Sequence, residues 1–192
     1  KYRNYKSLYL YPTDQNEVLK LVRNLANKTS HGFDNISNIL LKKTIRGYLY
    51  VIVYIINRSI KEAYVPKNMK FALISPLYKK ENRHKYENYR PVSLLPVISK
   101  IVEKCMFNRI YNFLEKNNIL YGSQYGYRKN HSTEHAAMEL LQNILENNNI
   151  NKYTLAVFCD MSKAFDTINH KNVLMKLEKF GIRGHAKKWM ES

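Results

Sequence analysis

The chain has 192 residues, 45% of them hydrophobic, and a formal net charge of +17. That is room for one ordinary domain or two small ones, with enough apolar side chain to close a core, so wholesale disorder is excluded. The charge points to a polyanion, nucleic acid ahead of an anionic membrane, because the basic residues are spread along the chain rather than gathered in a tail; a Lys-, Asn-, Ile- and Tyr-rich product of an AT-rich coding sequence is the plain alternative.

Thr13 and Asp14 open a first helix, with Glu17 three residues after Asp14 as the capping-box partner and Val18, Val22, Leu25 and Ala26 as its apolar face. It ends before His31-Gly32. A longer helix is expected over Ser37–Ala63, with Ile39, Leu40, Leu49, Ile52, Ile56 and Ile60 inward. Its nine-residue apolar run, Tyr48–Ile56, is far short of the roughly 20 residues that span a bilayer. Met69–Ile74 reads as a strand ended by Pro76. Lys79–Tyr86 is a charged loop, and Arg90–Leu95 is extended because the residue before Pro91 avoids the helical region.

The clearest helix runs over Val97–Lys116, where Ile98, Ile101, Val102, Cys105, Met106, Ile110, Phe113 and Leu114 keep the 3.6 period. Gly122–Asn130 is a Gly- and Tyr-rich turn region or hairpin. Ser132 or Thr133 then caps a helix with Ala136, Ala137, Leu140, Leu141, Ile144 and Leu145 apolar, and Asn147–Asn151 is a loop. Tyr153–Cys159 reads as a strand that delivers Asp160 at its end. A last helix, Lys171–Phe180, is stopped by Gly181. The expected class is α+β around a small sheet. Cys105 and Cys159 make no disulfide framework and no zinc spacing, which suits an intracellular protein. Residue 1 is Lys, and His185–Ser192 holds an amphipathic pattern without a stop signal, so a fragment of a longer protein is expected.

Several segments can carry chemistry. Asp160, at a strand end between apolar neighbours, either ligates a metal or caps a turn. Asp166 is a second candidate ligand, or it caps the following helix or pairs with Lys163. Phe165 lines a pocket or belongs to a core. Arg90, stiffened by Pro91, can meet a phosphate in bidentate geometry or simply hold a turn. Arg128 and Lys129 follow two glycines, with Tyr121, Tyr125 and Tyr127 interleaved to stack on bases or to decorate a surface turn. Lys79 and Lys80 are a solvated pair or a nucleic-acid contact.

The order of these segments resembles the reverse transcriptase domain of non-LTR (LINE-type, jockey/CR1-like) retrotransposons. His31–Ile36 is similar to that family's Gly-x-Asp-x-Ile element. Pro66–Lys79, with Lys70, Ala72 and Pro76, resembles its Pro-x-x-Trp-Lys-x-Ala-x-Ile-x-Pro-x-x-Lys segment, Met69 standing for Trp. Asn88–Leu95 resembles Tyr-Arg-Pro-Ile-Ser-Leu, and Gln124–Arg128 resembles Gln-x-Gly-Phe-Arg with Tyr127 for Phe. Asp160–His170 matches Asp-x-x-Lys-Ala-Phe-Asp-x-x-x-His. Five ordered matches over about residues 12–192 are specific in combination.

The resemblance implies a right-hand polymerase fold, incomplete here: residues 1–65 a helical N-terminal extension of the fingers, 66–150 the fingers, 151–192 the start of the palm. It implies an RNA-directed DNA polymerase, a nucleotidyltransferase using two Mg²⁺ ions with RNA template, DNA primer and deoxynucleoside triphosphates as partners. Asp160 would be a catalytic metal-binding carboxylate joined by the backbone carbonyl of Met161. Phe165 would lie under the sugar and exclude a 2′-hydroxyl, while Arg90 and Arg128 would hold the triphosphate. Lys79, Lys80, Lys129 and Tyr127 would contact nucleic acid, with Asp166 and Lys163 in support. Nuclear action would follow from target-primed synthesis; no membrane is expected, and the sequence is silent on oligomeric state.

One departure stands out. The family's second palm motif carries two adjacent aspartates, and the only aspartates here are Asp14, Asp34, Asp160 and Asp166. The Gly- and Pro-rich segment between the two motifs is also missing. The chain therefore holds half of a metal site and is expected not to polymerise by itself. A non-catalytic nucleic-acid-binding relic is the competing expectation. An unrelated Mg²⁺ nuclease or phosphotransferase ranks behind both, since it needs a second acidic cluster.

Overall fold

A computed structural model describes residues 4–161 and 164–192. Six α-helices and one two-stranded ribbon are present among them, in the order α1 Gln15–Arg23, α2 Asn38–Glu62, β1 Leu73–Tyr78, β2 Tyr89–Leu94, α3 Val97–Lys116, α4 Thr133–Asn149, α5 His170–Phe180 and α6 Gly184–Glu191. Short 3₁₀ turns sit at Lys67–Lys70 and Tyr86–Asn88. The chain divides into two compact units: residues up to Phe113 together with Leu174–Ser192, and Leu114–Val173. Residues 151–192, expected as the start of a palm, are thus shared between the two.

The first unit is built on α1, α2, α3 and α6. Asp14 caps α1 through its carboxylate to the Glu17 backbone N–H at 2.7 Å, and Ser37 caps α2 through its hydroxyl to the Leu40 N–H at 3.2 Å. Helix α2 ends on Ala63 in a left-handed conformation, φ 50°. Val18 and Val22 of α1 meet Ile45, Ile52, Ile56 and Ile60 of α2, with Ile101, Val102, Cys105 and Met106 of α3 completing the core. Ile182, Ala186 and Trp189 belong to the same core. The Trp189 indole N–H donates to the Ser59 hydroxyl at 3.0 Å, which itself donates to the Tyr64 carbonyl at 2.7 Å. On α2 the inward face differs from expectation by one position: Leu40 is exposed and Leu41 buried, because the apolar stripe follows Leu41, Ile45, Ile52, Ile56 and Ile60.

Two glycines fix close approaches here. A Cβ on Gly32 would stand 2.7 Å from the Pro96 nitrogen, so the His31–Ile36 turn lies against the start of α3. Asp34 closes that turn, its carboxylate accepting from the Ile36 N–H at 3.3 Å, with Asn35 at φ 57°. Gly181 has φ 103°, and a Cβ there would stand 2.3 Å from the Lys6 carbonyl oxygen. The residues before α1 are tied in at that point: Leu8 N–H donates to the Gly181 carbonyl and Asn4 N–H to the Lys179 carbonyl, both at 2.9 Å.

The expected strand over Met69–Ile74 is displaced. Lys67–Lys70 is a 3₁₀ turn, and β1 begins at Leu73 and runs through Pro76. Proline does not end the strand because of its register: Pro76 faces Pro91 across the antiparallel pair. Lys79 N–H donates to the Asn88 carbonyl at 2.8 Å. Counting back from that bonded pair, the Pro76·Pro91 level falls where backbone N–H groups point outward, so neither missing N–H is needed.

The second unit contains no buried residue among its described residues. Ser132 caps α4 by accepting from the His135 N–H at 3.3 Å, and the helix runs to Asn149, two residues into the expected loop. Its apolar side chains Met138, Leu141 and Leu145 are exposed. Tyr153–Cys159 is not a strand: a strand takes its backbone bonds from a neighbour, and among the described residues none pairs with this segment. Gln124–Asn130 forms successive turns rather than a hairpin.

Candidate nucleotide and nucleic-acid site

The ribbon carries the first group of expected contacts. Its tip, residues 79–88, holds Lys79, Lys80, Arg83, His84 and Lys85 with Glu81 and Glu87. The tip is organised by its own polar bonds. Asn88 donates from Nδ2 to the Asn82 carbonyl at 2.8 Å, and the Tyr89 hydroxyl donates to the Arg83 carbonyl at 2.9 Å. At the base of the tip Tyr78 and Tyr89 meet edge-to-face at 5.7 Å, and the Arg83 guanidinium lies 5.1 Å from the Tyr78 ring. Lys80 pairs with Glu81 at 3.4 Å, an exposed contact of little energetic weight. Arg90 is an exposed residue of β2, opposite Leu77. The ribbon therefore presents cations and aromatic faces together on a two-stranded arm, a combination suited to a nucleic-acid backbone and its bases.

The second group lies in the second unit. Asp160 is exposed, so the desolvation cost expected of a carboxylate between apolar neighbours does not arise. Met161 is exposed beside it. Asp166 does not cap α5; Asn169 does, accepting from the Asn172 N–H at 3.2 Å. Lys163 lies outside the described residues. Phe165 is exposed and meets Tyr127 edge-to-face, ring centroids 6.1 Å apart at 86°. Tyr127 itself has φ 58°.

Arg128 is held from several sides. Its Nε and Nη2 donate to the two carboxylate oxygens of Glu115 at 2.9 and 3.2 Å. Its Nη1 donates to the Tyr121 carbonyl at 3.0 Å. A guanidinium so engaged fastens the Gly122–Asn130 turns to the end of α3, a role the sequence reading weighed only as a plain alternative. Lys129 sits in the same turns, its carbonyl 2.9 Å from His131 Nδ1.

Sequence reasoning missed Arg109. It is 1% exposed, with five donated bonds: Nε to the Tyr11 carbonyl at 2.8 Å, Nη1 to Glu17 and to the Cys105 carbonyl at 2.9 Å, Nη2 to Glu17 at 2.9 Å and to the Pro12 carbonyl at 3.2 Å. This explains why Glu17 completes only half of a capping box. Its side chain is taken by Arg109 and by the Thr13 hydroxyl at 2.6 Å rather than turning back to the helix start. Burial alone raises the Glu17 pKa, but the bonds from Arg109 and Thr13 and the Arg109 charge outweigh it and hold the carboxyl below its ordinary range. The signal was present: Arg109 stands in the apolar stripe four residues after Cys105.

No group of three or more His, Cys, Asp or Glu able to hold a metal ion is present among the described residues. Asp160 and the Met161 carbonyl offer two oxygen donors, whereas Mg²⁺ demands a near-octahedral oxygen shell. The described residues do not complete such a site. A cavity of about 350 Å³ in the first unit, lined by residues including Val65, Ser99, Val102, Glu103 and Trp189, holds none of the expected metal or nucleotide ligands. No helix among the described residues is long and apolar enough to cross a membrane.

The model of the family described as reverse transcriptase (RNA-dependent DNA polymerase) matches residues 78–192. The chain belongs to the reverse transcriptase family. That match takes in the ribbon tip, Arg90, the anchored turns and the Asp160 segment. Among curated relatives, the probable RNA-directed DNA polymerase from transposon BS of Drosophila melanogaster is 34% identical over 175 residues, which is 90% of this chain and 19% of that protein. The probable RNA-directed DNA polymerase from transposon X-element of the same fly is 29% identical, covering 87% of this chain and 18% of the relative. The RNA-directed DNA polymerase from its mobile element jockey is 28% identical, covering 90% and 19%. The chain thus spans about a fifth of the length of these relatives. The resemblance to retrotransposon reverse transcriptases is borne out, and the fold of this reverse transcriptase segment is mixed helix and sheet.

Proposed function

We propose that this chain is the fingers and the beginning of the palm of an RNA-directed DNA polymerase of a non-LTR retrotransposon, with RNA template, DNA primer and deoxynucleoside triphosphates as its ligands. The observation that carries this reading is the family match over residues 78–192, which contains the acidic motif Asp160–His170 in order after the Arg90 and Arg128 motifs. A net charge of +17 and a ribbon tip rich in Lys and Arg support binding to a phosphate backbone.

In this reading Asp160 and the Met161 carbonyl are one part of a magnesium ligand set, and the other ligands come from outside this chain. Bound divalent metal would supply neutralisation of charge on the transferred phosphoryl group. The chain's own residues bind and orient. Arg90 supplies a cation for the triphosphate, and Lys79, Lys80 and Lys129 track nucleic-acid phosphates. Phe165 lies beneath the sugar. Arg128, already paired with Glu115, holds the turns that carry its neighbours.

The test is Asp160→Asn in the full reverse transcriptase that contains this segment. Primer extension on an RNA template falls to background. Binding of the RNA–DNA hybrid and the far-UV circular dichroism stay at wild-type level, because an exposed isosteric change costs at most about 0.5 kcal/mol of stability. Synthesis at an undiminished rate would remove Asp160 from the metal site.

A further inference from the structure

Tyr127 is a bulky residue in the left-handed region, φ 58°. Residues with a Cβ adopt that conformation at a cost and keep it only where their surroundings over-determine it. Here the next residue does so. Arg128 is clamped by both oxygens of Glu115 and by the Tyr121 carbonyl, so the backbone that presents Tyr127 is fastened to the last turn of α3. The strained backbone aims the Tyr127 ring at Phe165, which it meets edge-to-face at 6.1 Å and 86°. That distance and angle fall in the favourable range for an aromatic pair, positive edge against negative face. Phe165 is otherwise 72% exposed, a ring on two rotatable bonds with little else to hold it.

We infer that Tyr127 is a positioning residue for sugar selection, its ring backing Phe165 so that Phe165 keeps the orientation that excludes a 2′-hydroxyl. The inference rests on the reading of Phe165 as the residue beneath the sugar. A phenyl ring that swings freely discriminates poorly, since a clash is avoided by one rotamer change. The path of restraint runs from Glu115 through Arg128 and Tyr127 to Phe165, and every member lies in the second unit. The contact is ring to ring, so it asks for an aromatic at position 127 and not for a hydroxyl.

The experiment is single-nucleotide insertion by the full reverse transcriptase containing this segment, with a deoxynucleotide and its matching ribonucleotide. Tyr127→Ala lowers discrimination against the ribonucleotide roughly 2- to 10-fold, through a lower ribonucleotide KM. The deoxynucleotide kcat changes by less than about 2-fold. Tyr127→Phe keeps the parental ratio. Tyr127→Gly removes the ring and relieves the backbone, so it reports the same loss even where the alanine variant folds poorly. In a Phe165→Val background, Tyr127→Ala adds nothing further, because the ring it backs is gone. Parental discrimination in both Tyr127→Ala and Tyr127→Gly, alongside relaxed discrimination in Phe165→Val, would overturn the inference and leave the role of Phe165 standing. Full additivity with Phe165→Val would overturn it too. Parental discrimination in Phe165→Val would instead remove the reading beneath it.

Discussion

Arg109→Met is the most informative change in the first unit. It keeps the length of the side chain and its apolar stem while deleting the guanidinium, which is buried and donates five hydrogen bonds. The variant leaves the Glu17 carboxylate without its cation and the Tyr11 and Pro12 carbonyls without their donor. Removing one partner of a buried ion pair costs about 3–5 kcal/mol. Glu17 keeps 25% of its side chain exposed, so water softens the loss and the lower end, about 3 kcal/mol, is expected. For a chain of this size that corresponds to a fall in Tm of roughly 6–12 °C. The assay is urea unfolding at pH 7 followed by far-UV circular dichroism. The double variant with Glu17→Met separates a simple ion pair from the observed cage. It removes the stranded carboxylate but not the stranded carbonyls, each worth about 1–3 kcal/mol where water does not reach it. Its stability therefore lies between wild type and the single variant. A single-variant loss below about 1 kcal/mol, the level of an exposed pair, would refute the argument. So would full recovery in the double variant, which would leave the carbonyls no role.

Acid should act through the same cluster. The Glu17 carboxyl titrates lower in the folded chain than in the unfolded one, so its stabilisation is complete above the unfolded value near pH 4.3 and is lost as pH falls through the folded value. The stability gap between wild type and Glu17→Gln closes across that window in urea titrations, and a gap unchanged down to about pH 3 would contradict the assignment. Gly181→Ala destabilises by roughly 3 kcal/mol, since φ 103° is strained for alanine and the new methyl would stand 2.3 Å from the Lys6 carbonyl oxygen. Gly47→Ala, inside α2 with nothing within 4 Å of the new methyl, gains about 0.5–1 kcal/mol. Equal effects from the two in thermal melts would show that the close approach at Gly181 carries no weight.

How legible each element was depends on where its stabilising partners sit. The α3 bounds, Val97–Lys116, were readable because twenty residues repeat one period without interruption. The caps Asp14, Ser37 and Ser132 were readable because a cap and the N–H it satisfies lie within three residues. Tyr153–Cys159 has a strand's composition but not a strand's neighbour, and composition alone does not supply one. Pro76 misled for a related reason. Whether a proline ends a strand is decided by the register with Pro91, information held by two segments together. On the functional side the motif order gave the family, while the anchoring of Arg128 by Glu115 and the Tyr127–Phe165 contact depend on side chains meeting in space and could not be read along the chain.

The first unit is discontinuous: its core needs Val18, Val22 and Ile56, and also Ile182, Ala186 and Trp189. About 60 residues of the second unit separate the two contributions. During synthesis at about 5–20 residues per second, α1, α2 and most of α3 therefore wait roughly 3–12 seconds for α6 to arrive. Through that interval the faces that will receive Trp189 and Ile182 stay open, while the apolar side of α4 is already emerging beside them in sequence. The latch at Gly181 closes this interval, since Asn4 and Leu8 dock onto residues 179–181 just before α6 packs. The order of translation, rather than any single contact, sets when this segment can first become a folded body. Its nascent form is the stage at which chaperones have the most to cover.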